Sequence, residues 1–272
     1  MLKTVAIIGC GAIGSVLAKA IDNGTVDAKL LAVYDIVEDK SYKLVSELKH
    51  KPKIVKSIDE MINLKPDIIV EAASQQAVRD YATKILRNRI NLMIMSVGAL
   101  LNKELLSEIL EVAKEKGVCI YIPSGAIAGL DAIEALKLVG IKKIVLRTRK
   151  PPKALKEAEY LRKRGIDLEK VSHEVLVFKD KASEAVKAFP VNINISAALT
   201  LASNTEVDVE IVADPNLSRN IHEIEVYSEA SRIVIRVENI PTPKNPRTSY
   251  LATLSAIYTL KKVCESTGIR IL

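Results

Sequence analysis

Hydrophobic positions in the first part of the chain form short β-branched runs that alternate with stretches of helical spacing. The runs that fit strands are Thr4 to Ile8, Lys29 to Tyr34, Asp67 to Val70, Ile90 to Met95 and Val118 to Ile122. Between the first two runs, Ile13, Leu17 and Ile21 share one face of a helix. A later helix is predicted from a cap at Asn102 to a stop at Gly117. Strands and helices in alternation are typical of βαβ units, so we predict a parallel sheet.

The pattern changes after Pro123-Ser124-Gly125, where strand-like runs follow one another with fewer helices between them. These runs are Lys143 to Arg149, Glu174 to Phe178, Val207 to Val212, His222 to Ser228 and Arg232 to Val237. The connection Glu229-Ala230-Ser231 is short enough for a hairpin, and helices are predicted near Ala154 to Lys163 and Ile195 to Ala202. We therefore predict an α+β region with a largely antiparallel sheet.

The first strand leads directly into a glycine-rich turn, Gly9-Cys10-Gly11-Ala12-Ile13-Gly14, which opens a predicted helix. In a GxGxxG turn after a strand, the first glycine permits the tight turn and the second lets a pyrophosphate approach the backbone. The third allows close helix–strand packing. The phosphates are expected at the helix N-terminus, beside Ala12 and Ile13, because unpaired N–H groups there favour an anion.

The second strand ends in Asp35, which follows Gly14 by 21 residues. A carboxylate about 20 residues after the glycine turn is suited to hydrogen-bond the ribose hydroxyls, and it repels a 2′-phosphate. No arginine occurs in the next four residues, 36–39, so we predict NAD as the preferred cofactor, with NADP possible. The residues at two later strand ends, expected to flank the ribose and nicotinamide, are Ala72, Ala73, Ser96 and Gly98.

The predicted fold class is α/β, with an N-terminal Rossmann-type parallel sheet and a second α+β domain whose sheet is largely antiparallel. A length of 272 residues fits two domains. We place the dinucleotide-binding domain at residues 1–123 and a substrate-binding, catalytic and dimerisation domain at residues 124–246. Residues 247–272 are expected to form a C-terminal helix that packs back on the domains.

Composition narrows the class of protein further. Hydrophobic residues make up 49% and charged residues 27% of the chain, and no apolar run approaches the roughly 18 residues of a membrane span. The N-terminus passes straight into a strand-like run, so we expect a cytoplasmic protein without a cleaved signal. Three widely spaced cysteines indicate neither a disulfide framework nor a metal site. Abundant Lys, Glu and Ile are typical of thermophile proteins.

The net charge of +7 raises the question of a nucleic-acid partner. Basic residues alternate with Glu along helix-like stretches such as Lys156 to Arg164 instead of clustering on one face, so we expect no nucleic-acid binding. A small-molecule substrate is the expected partner.

Only three histidines are available as acid–base groups. His50 lies in a basic stretch and His173 beside Ser172, and both are interpreted as surface residues. His222 precedes a strand-like run, and an imidazole that titrates near neutrality suits a general base.

Motifs along the whole chain strengthen the case for His222. They are Gly9 to Gly14, Pro123 to Ile127 followed by Gly129-Leu130-Asp131, Phe189 to Asn192, Asn220 to Ile224, and Asn245 to Ser249. In combination and order these motifs resemble the L-aspartate dehydrogenase family.

The resemblance implies NAD(P)-dependent oxidation of L-aspartate to iminoaspartate, which hydrolyses to oxaloacetate and ammonia or feeds NAD biosynthesis. It also implies that His222 is the active-site residue, that the backbone amide of Ala126 contacts the cofactor, and that Asn192 contacts it near the nicotinamide. Asn192 is equally interpretable as a helix cap.

A dicarboxylate substrate needs a cation, and Arg247, with Thr248 and Ser249 beside it, is the strongest candidate because its guanidinium can hold a carboxylate at two points. A surface position at the start of a helix is the alternative for Arg247. A homodimer is expected, with the sheet of the second domain as its surface.

Two other functions stay open. One is a different oxidoreductase of the same plan, similar to homoserine dehydrogenase or dihydrodipicolinate reductase. The other is a non-catalytic NAD-sensing module, since a fold does not fix a function.

Overall fold

Six parallel strands form the sheet of the first half of the chain. They are β1 (Lys3–Ile8), β2 (Ala28–Tyr34), β3 (Lys53–Ile54), β4 (Ile68–Glu71), β5 (Asn91–Ile94) and β6 (Ile120–Tyr121), in the order β3-β2-β1-β4-β5-β6. The order reverses between β1 and β4, and a doubly wound sheet binds its ligand at such a switch point. The structure, a computed structural model, thus confirms the predicted Rossmann-type parallel sheet.

The structure describes residues 2–156, 158–168, 171–189, 194–242, 245–265 and 267, and of residues 245–248 only the backbone. The chain forms two compact units, one of Met1–Pro123 with Thr253–Leu272 and one of Ser124–Ala252. In the described residues no helix has the length and apolar character needed to cross a membrane.

Helices flank the parallel sheet where the sequence supplies caps and an apolar face. They are α1 (Ala12–Asp22), α2 (Glu38–Glu47), α3 (Ile58–Asn63), α4 (Gln75–Arg87), a 3-10 helix (Val97–Leu101) and α5 (Lys103–Lys116). Ser57, Ser74 and Asn102 each accept a backbone N–H at a helix start, and Gly117 ends α5 in the left-handed region. The cap and stop predicted for α5 are therefore confirmed.

Ser124–Ala252 holds the second sheet. Its strands are β7 (Ile141–Lys150), β8 (Val175–Lys181), β9 (Asp208–Ala213), β10 (Asn220–Ser228) and β11 (Arg232–Asn239), in the order β11-β10-β7-β9-β8. Every neighbouring pair is antiparallel except β7 and β9, which are parallel, so the sheet is mixed and mostly antiparallel. The predicted hairpin is confirmed, since the Ser228 N–H donates to Ser231 O across it.

Helices and a small sheet complete this unit. They are α6 (Leu130–Leu136), α7 (Pro152–Leu155), α8 (Glu159–Lys163), α9 (Ala182–Ala188), α10 (Asn194–Ser203) and the pair β12 (Pro241–Thr242) with β13 (Asn245–Ser249). The single helix predicted near Ala154 to Lys163 is wrong. Ala158 has an extended backbone, with ψ of 116°, which separates α7 from α8.

The C-terminal helix α11 (Tyr250–Cys264) begins later than residue 247, because residues 247–249 belong to β13. Its residues Ala256, Leu260 and Cys264 pack into the same core as Leu17 and Ile21 of α1. Apolar positions spaced four residues apart place these three side chains on one helix face.

The two faces of the five-stranded sheet differ in character. On one face Leu146 lies opposite Val209 and Ile224, and all three are buried. On the other face, alternate positions carry charged side chains such as Arg147 and Glu210, whose Nη2 and Oε2 lie 2.7 Å apart. The alternation follows from the two-residue period of a strand.

Candidate active site

The glycine turn after β1 is shaped by contacts that exclude side chains at two of its three glycines. Gly9 has a φ of +93°, its N–H donates to Tyr34 O at 2.7 Å, and a Cβ there would lie 2.6 Å from Ala72 O. A Cβ on Gly14 would lie 1.8 Å from Gly9 O. The first and third glycines therefore permit close backbone packing.

The second glycine faces open space. A Cβ on Gly11 would have no heavy atom within 4 Å, and Gly11 and Ala12 are exposed while Ile13 is half-buried. No side chain caps the N-terminus of α1. An open backbone at an uncapped helix start fits the pyrophosphate of a dinucleotide.

Asp35 lies half-buried at the carboxyl end of β2 beside this turn. Its Oδ2 accepts the Cys10 N–H at 2.9 Å, and its Oδ1 accepts the Val37 N–H at 2.9 Å. The carboxylate is thus held against the glycine turn. The contact with Cys10 was not predicted, because residue spacing does not show which backbone atoms meet.

Glu71, at the end of β4, connects two strand ends of this site through hydrogen bonds and was not among the predicted site residues. It is 1% exposed, and its Oε1 accepts the N–H groups of Ala73 (2.8 Å) and Ser74 (2.9 Å). Ser96 donates its N–H to Oε2 at 3.0 Å and its hydroxyl to Oε1 at 2.9 Å. Burial raises the pKa of Glu71, while these hydrogen bonds oppose the rise. The signal was an acidic residue inside an apolar strand, which must find donors when buried.

The four small residues predicted around the ribose and nicotinamide lie at two neighbouring strand ends. Ala72 donates its N–H to Ile8 O at 2.8 Å, and Ala73 is exposed next to it. Ser96 is tied to Glu71, and Gly98 is buried within the 3-10 helix. The ends of β1, β4 and β5 are therefore adjacent, with Glu71 joining the last two.

His222 lies in β10 of the other unit, opposite Thr148 of β7, and is 3% exposed. Its Nδ1 is 3.1 Å from Thr148 Oγ1. Burial, together with the positive charge of Lys150, lowers the pKa of His222 to about 3. The expectation that this imidazole titrates near neutrality is therefore wrong, because the side chain is desolvated and lies near a cation.

Lys150 is a second residue that the sequence did not reveal. It lies two residues after Thr148 on the same face of β7, is 5% exposed, and burial lowers its pKa to about 8. A cavity of about 10 Å³ borders it, lined by Thr148, Ser196 and other residues of the same face and of α10. A lysine at an inward position of an alternating strand was the available signal.

Ala126 and Ser249 are joined through Asn239. The Asn239 side chain donates to Ala126 O at 3.0 Å, and the Ser249 hydroxyl donates to Asn239 Oδ1 at 2.5 Å. All three residues are buried. The carbonyl group of Ala126 thus anchors the segment before α6 to β11. The backbone N–H of Ala126 takes no part in this contact.

Arg247 and Thr248 belong to β13, so the alternative that Arg247 starts a helix is wrong. Asn192 lies outside the described residues. Within the described part of the chain, no group of three or more His, Cys, Asp or Glu side chains is arranged to hold a metal ion.

The parallel sheet, its open glycine turn and the carboxylate at Asp35 define the nucleotide-binding half of a nicotinamide-dependent oxidoreductase. Residues 9–123 match the family described as "Homoserine dehydrogenase, NAD binding domain", and residues 131–263 match "Aspartate dehydrogenase, C-terminal". The chain belongs to the L-aspartate dehydrogenase family.

Individual relatives support this assignment over the whole length. L-aspartate dehydrogenase of Methanosarcina mazei is 47% identical over 97% of each chain, and that of Methanocaldococcus jannaschii is 44% identical over 97% of this chain and 98% of its own. The crystal structure of aspartate dehydrogenase from Thermotoga maritima has a TM-score of 0.79, 28% identity, and coverage of 99% of this chain and 100% of that one. A dihydrodipicolinate reductase of Paenisporosarcina, with a TM-score of 0.55 and 14% identity, shares the fold over 97% of this chain and 95% of its own.

Proposed function

We propose that the protein is an L-aspartate dehydrogenase that oxidises L-aspartate to iminoaspartate, which water converts to oxaloacetate and ammonia. The observation that carries the proposal is the likeness to chains named L-aspartate dehydrogenase, which extends over 97% of this chain. The match at residues 131–263 includes His222 and favours this function over homoserine or dihydrodipicolinate chemistry.

NAD is the proposed cofactor and, when bound, supplies the oxidising group of the reaction. The turn Gly9 to Gly14, with Ala12 and Ile13 at the helix start, would hold its phosphates, and Asp35 would hold its ribose. Ala72, Ala73, Ser96 and Gly98 would line the crevice further along. Asp35 disfavours a 2′-phosphate, so NADP would be the weaker cofactor.

Arg247 is proposed to bind a substrate carboxylate, with Thr248 and Ser249 beside it. A guanidinium gives a planar two-point grip that an ammonium cannot reproduce. The hydroxyl of Ser249 already donates to Asn239, so this serine would meet the substrate only as an acceptor. The Ala126 amide and Asn192 are proposed to contact the cofactor.

His222 is proposed to accept a proton from the water that attacks the imine carbon. In the tautomer whose Nδ1–H donates to Thr148 Oγ1, Nε2 carries the lone pair that would accept the proton. The lowered pKa keeps the imidazole neutral at physiological pH, which is the form a base requires. As the water adds to the imine carbon, one of its protons passes to Nε2. The imidazolium then protonates the amino group of the resulting carbinolamine, and ammonia leaves as the remaining hydroxyl loses its proton to solvent and becomes the carbonyl.

A homodimer through the charged face of the five-stranded sheet is proposed as the assembly. Besides its ion pairs, this face presents Leu176 and Val234, which are 51% and 62% exposed. Exposed apolar side chains among paired charges are suited to an interface. Light scattering of the purified chain at several concentrations tests it.

The decisive experiment is an assay of NADH oxidation with oxaloacetate plus ammonia, with aspartate semialdehyde as the competing substrate. We expect turnover only with the former. NADH binding without turnover on either substrate would instead support a non-catalytic module.

His222→Ala is expected to lower kcat by about 10²- to 10⁴-fold, the usual effect of removing an acid–base group, with unchanged NADH affinity. His222→Asn keeps a hydrogen-bonding side chain but takes no proton, so it should be equally slow. Near-normal turnover of His222→Asn would make His222 a positioning residue.

A further inference from the structure

The middle of the inward face of the five-stranded sheet is apolar, and buried polar side chains lie at one end of it. There, the last residues of β7 meet the first residues of β10, because the two strands are antiparallel. Thr148, Lys150 and His222 lie at this end, and each is less than 7% exposed. Since His222 is directly opposite Thr148, Lys150 is its diagonal neighbour, within about 8 Å between Cα atoms.

Lys150 is only 5% exposed, which is rare for a lysine because it is costly to take an ammonium group out of water. Its ammonium and a protonated His222 would be two cations side by side in a desolvated place, and the Lys150 charge does lower the pKa of His222. The pair is therefore suited to hold one proton, and that proton belongs to Lys150, whose pKa stays far higher than that of the imidazole.

The described surroundings of Lys150 include Asp214 and uncharged residues of α10. Asp214 follows β9, and its backbone N–H donates to Lys150 O at 2.9 Å, while its Oδ1 accepts the Asn216 N–H at 2.9 Å. From α10, uncharged Ile195 and Ser196 line the cavity of about 10 Å³ beside Lys150. That space is close to the least that holds one water molecule, and an amino group is of similar size.

We propose that Lys150 is a further catalytic residue, whose neutral amine accepts the proton of the substrate's α-ammonium group. This inference rests on the proposed function. The substrate N–H bond breaks as an N–H bond forms at Nζ. The freed nitrogen lone pair can then form the C=N bond when Cα gives up its hydrogen with two electrons, for which bound NAD would be the acceptor. Lys150 returns its proton to solvent before the next turnover.

Lys150 and His222 are assigned different steps of the reaction because the two side chains differ in basicity. A neutral imidazole with a pKa of about 3 is too weak a base to remove a proton from an ammonium group, which ordinarily holds it up to about pH 10. An amine with a pKa of about 8 is much better matched to that task. His222 remains the proposed acceptor of a proton from the attacking water.

The test compares Lys150→Met, Lys150→Arg and Lys150→Ala with Lys142→Ala, an exposed lysine on the same strand. Methionine suits the buried position and should leave folding and NADH affinity intact. We expect all three Lys150 variants to lose at least about 10²-fold in kcat/KM for aspartate. The unmodified enzyme is expected to show a rise in kcat/KM towards pH 8, which the Lys150 variants should lose, whereas Lys142→Ala should keep both the rate and the rise.

Methylamine and ethylamine, which are nearly equal in basicity, should each restore part of the rate of Lys150→Ala. Independently of activity, the ring resonances of His222 should show a higher pKa in Lys150→Met than in the unmodified protein. Near-normal activity of Lys150→Met, or of Lys150→Arg, would overturn the inference, as would the absence of amine rescue. If the unmodified enzyme fails to oxidise aspartate, the proposed function itself fails and the inference with it.

Discussion

At the scale of single residues, the number of hydrogen bonds that each carboxylate already accepts shows which one is available to a ligand. A carboxylate offers about four acceptor sites. Glu71 accepts four hydrogen bonds from Ala73, Ser74 and Ser96, so its capacity is used within the protein. Asp35 accepts two among the described residues, from Cys10 and Val37, which leaves about two acceptor sites. Glu71 is therefore a positioning residue, and Asp35 is the ribose-binding candidate.

Asp35→Ala is expected to weaken NADH binding about tenfold or more, the effect of losing a hydrogen bond to a charged group, and to improve the relative binding of NADPH. Asp35→Asn is the control, because its carbonyl can still accept the Cys10 N–H while the charge is gone. Fluorescence titration gives both dissociation constants. If the ratio of the two constants is the same in all three proteins, Asp35 does not contact the ribose.

Arg247→Lys is expected to raise the KM for aspartate about tenfold or more and to change the KM for NAD by less than twofold. The reason is the loss of one of two parallel hydrogen bonds to a carboxylate. Initial rates with each substrate varied in turn measure both constants. Equal increases would indicate a structural role for Arg247 in β13.

At the scale of secondary-structure elements, the sequence predicted the strands with the clearest apolar runs to within two or three residues. β1, β2 and β10 are examples, since each has a continuous β-branched or alternating pattern. Helix α5 was also found, because its cap at Asn102 and stop at Gly117 are local signals. Local sequence patterns were sufficient to predict a strand or helix wherever the signal lies within that one element.

Features that depend on a distant partner were not predictable. The parallel pairing of β7 with β9 places Leu146 opposite Val209, 63 residues later, and nothing in either strand alone specifies that register. The pairing of the adjacent strands β12 and β13 was missed for a different reason, since each contains a proline, which argues against a strand in the sequence pattern. The inward position of Lys150 on an alternating strand was visible in the sequence, but its burial was not, because it depends on strands and a helix far along the chain.

The glycine turn gives a prediction in which two similar substitutions have different effects. Gly11→Ala should fold with an unchanged melting temperature, because its φ of −74° suits any residue and the added Cβ meets nothing within 4 Å. It should still weaken NADH binding, since the methyl group occupies the space for the pyrophosphate. Gly14→Ala should lower the melting temperature, because its Cβ would overlap Gly9 O. Unchanged NADH affinity in Gly11→Ala would place the phosphates elsewhere.

At the scale of the whole molecule, buried groups with shifted pKa values link stability to pH. The pKa of His222 is about 3 in the folded protein and ordinarily 6.5, so between these values the unfolded chain binds more protons and stability rises with pH. Lys150, with a pKa of about 8 against an ordinary 10.5, acts in the same direction between pH 8 and 10.5. The raised pKa of Glu71 acts in the opposite direction just above its ordinary value of 4.5.

Acid destabilisation between pH 7 and 5 is therefore expected to come in part from His222. In the unfolded chain this histidine has a pKa of 6.5, so its protonation between pH 7 and 5 stabilises the unfolded chain by about 2 kcal/mol. The same residue stays neutral in the folded protein over this range. In His222→Gln this stabilisation of the unfolded chain is absent. Between pH 7 and 5 the free energy of unfolding of the variant should therefore fall by about 2 kcal/mol less than that of the unmodified protein. Denaturant unfolding at pH 7, 6 and 5 measures the free energy of unfolding of the two proteins. Because they share every other titrating group, the difference between them reports on residue 222. Parallel curves would show that His222 titrates in the folded state as it does in the unfolded chain.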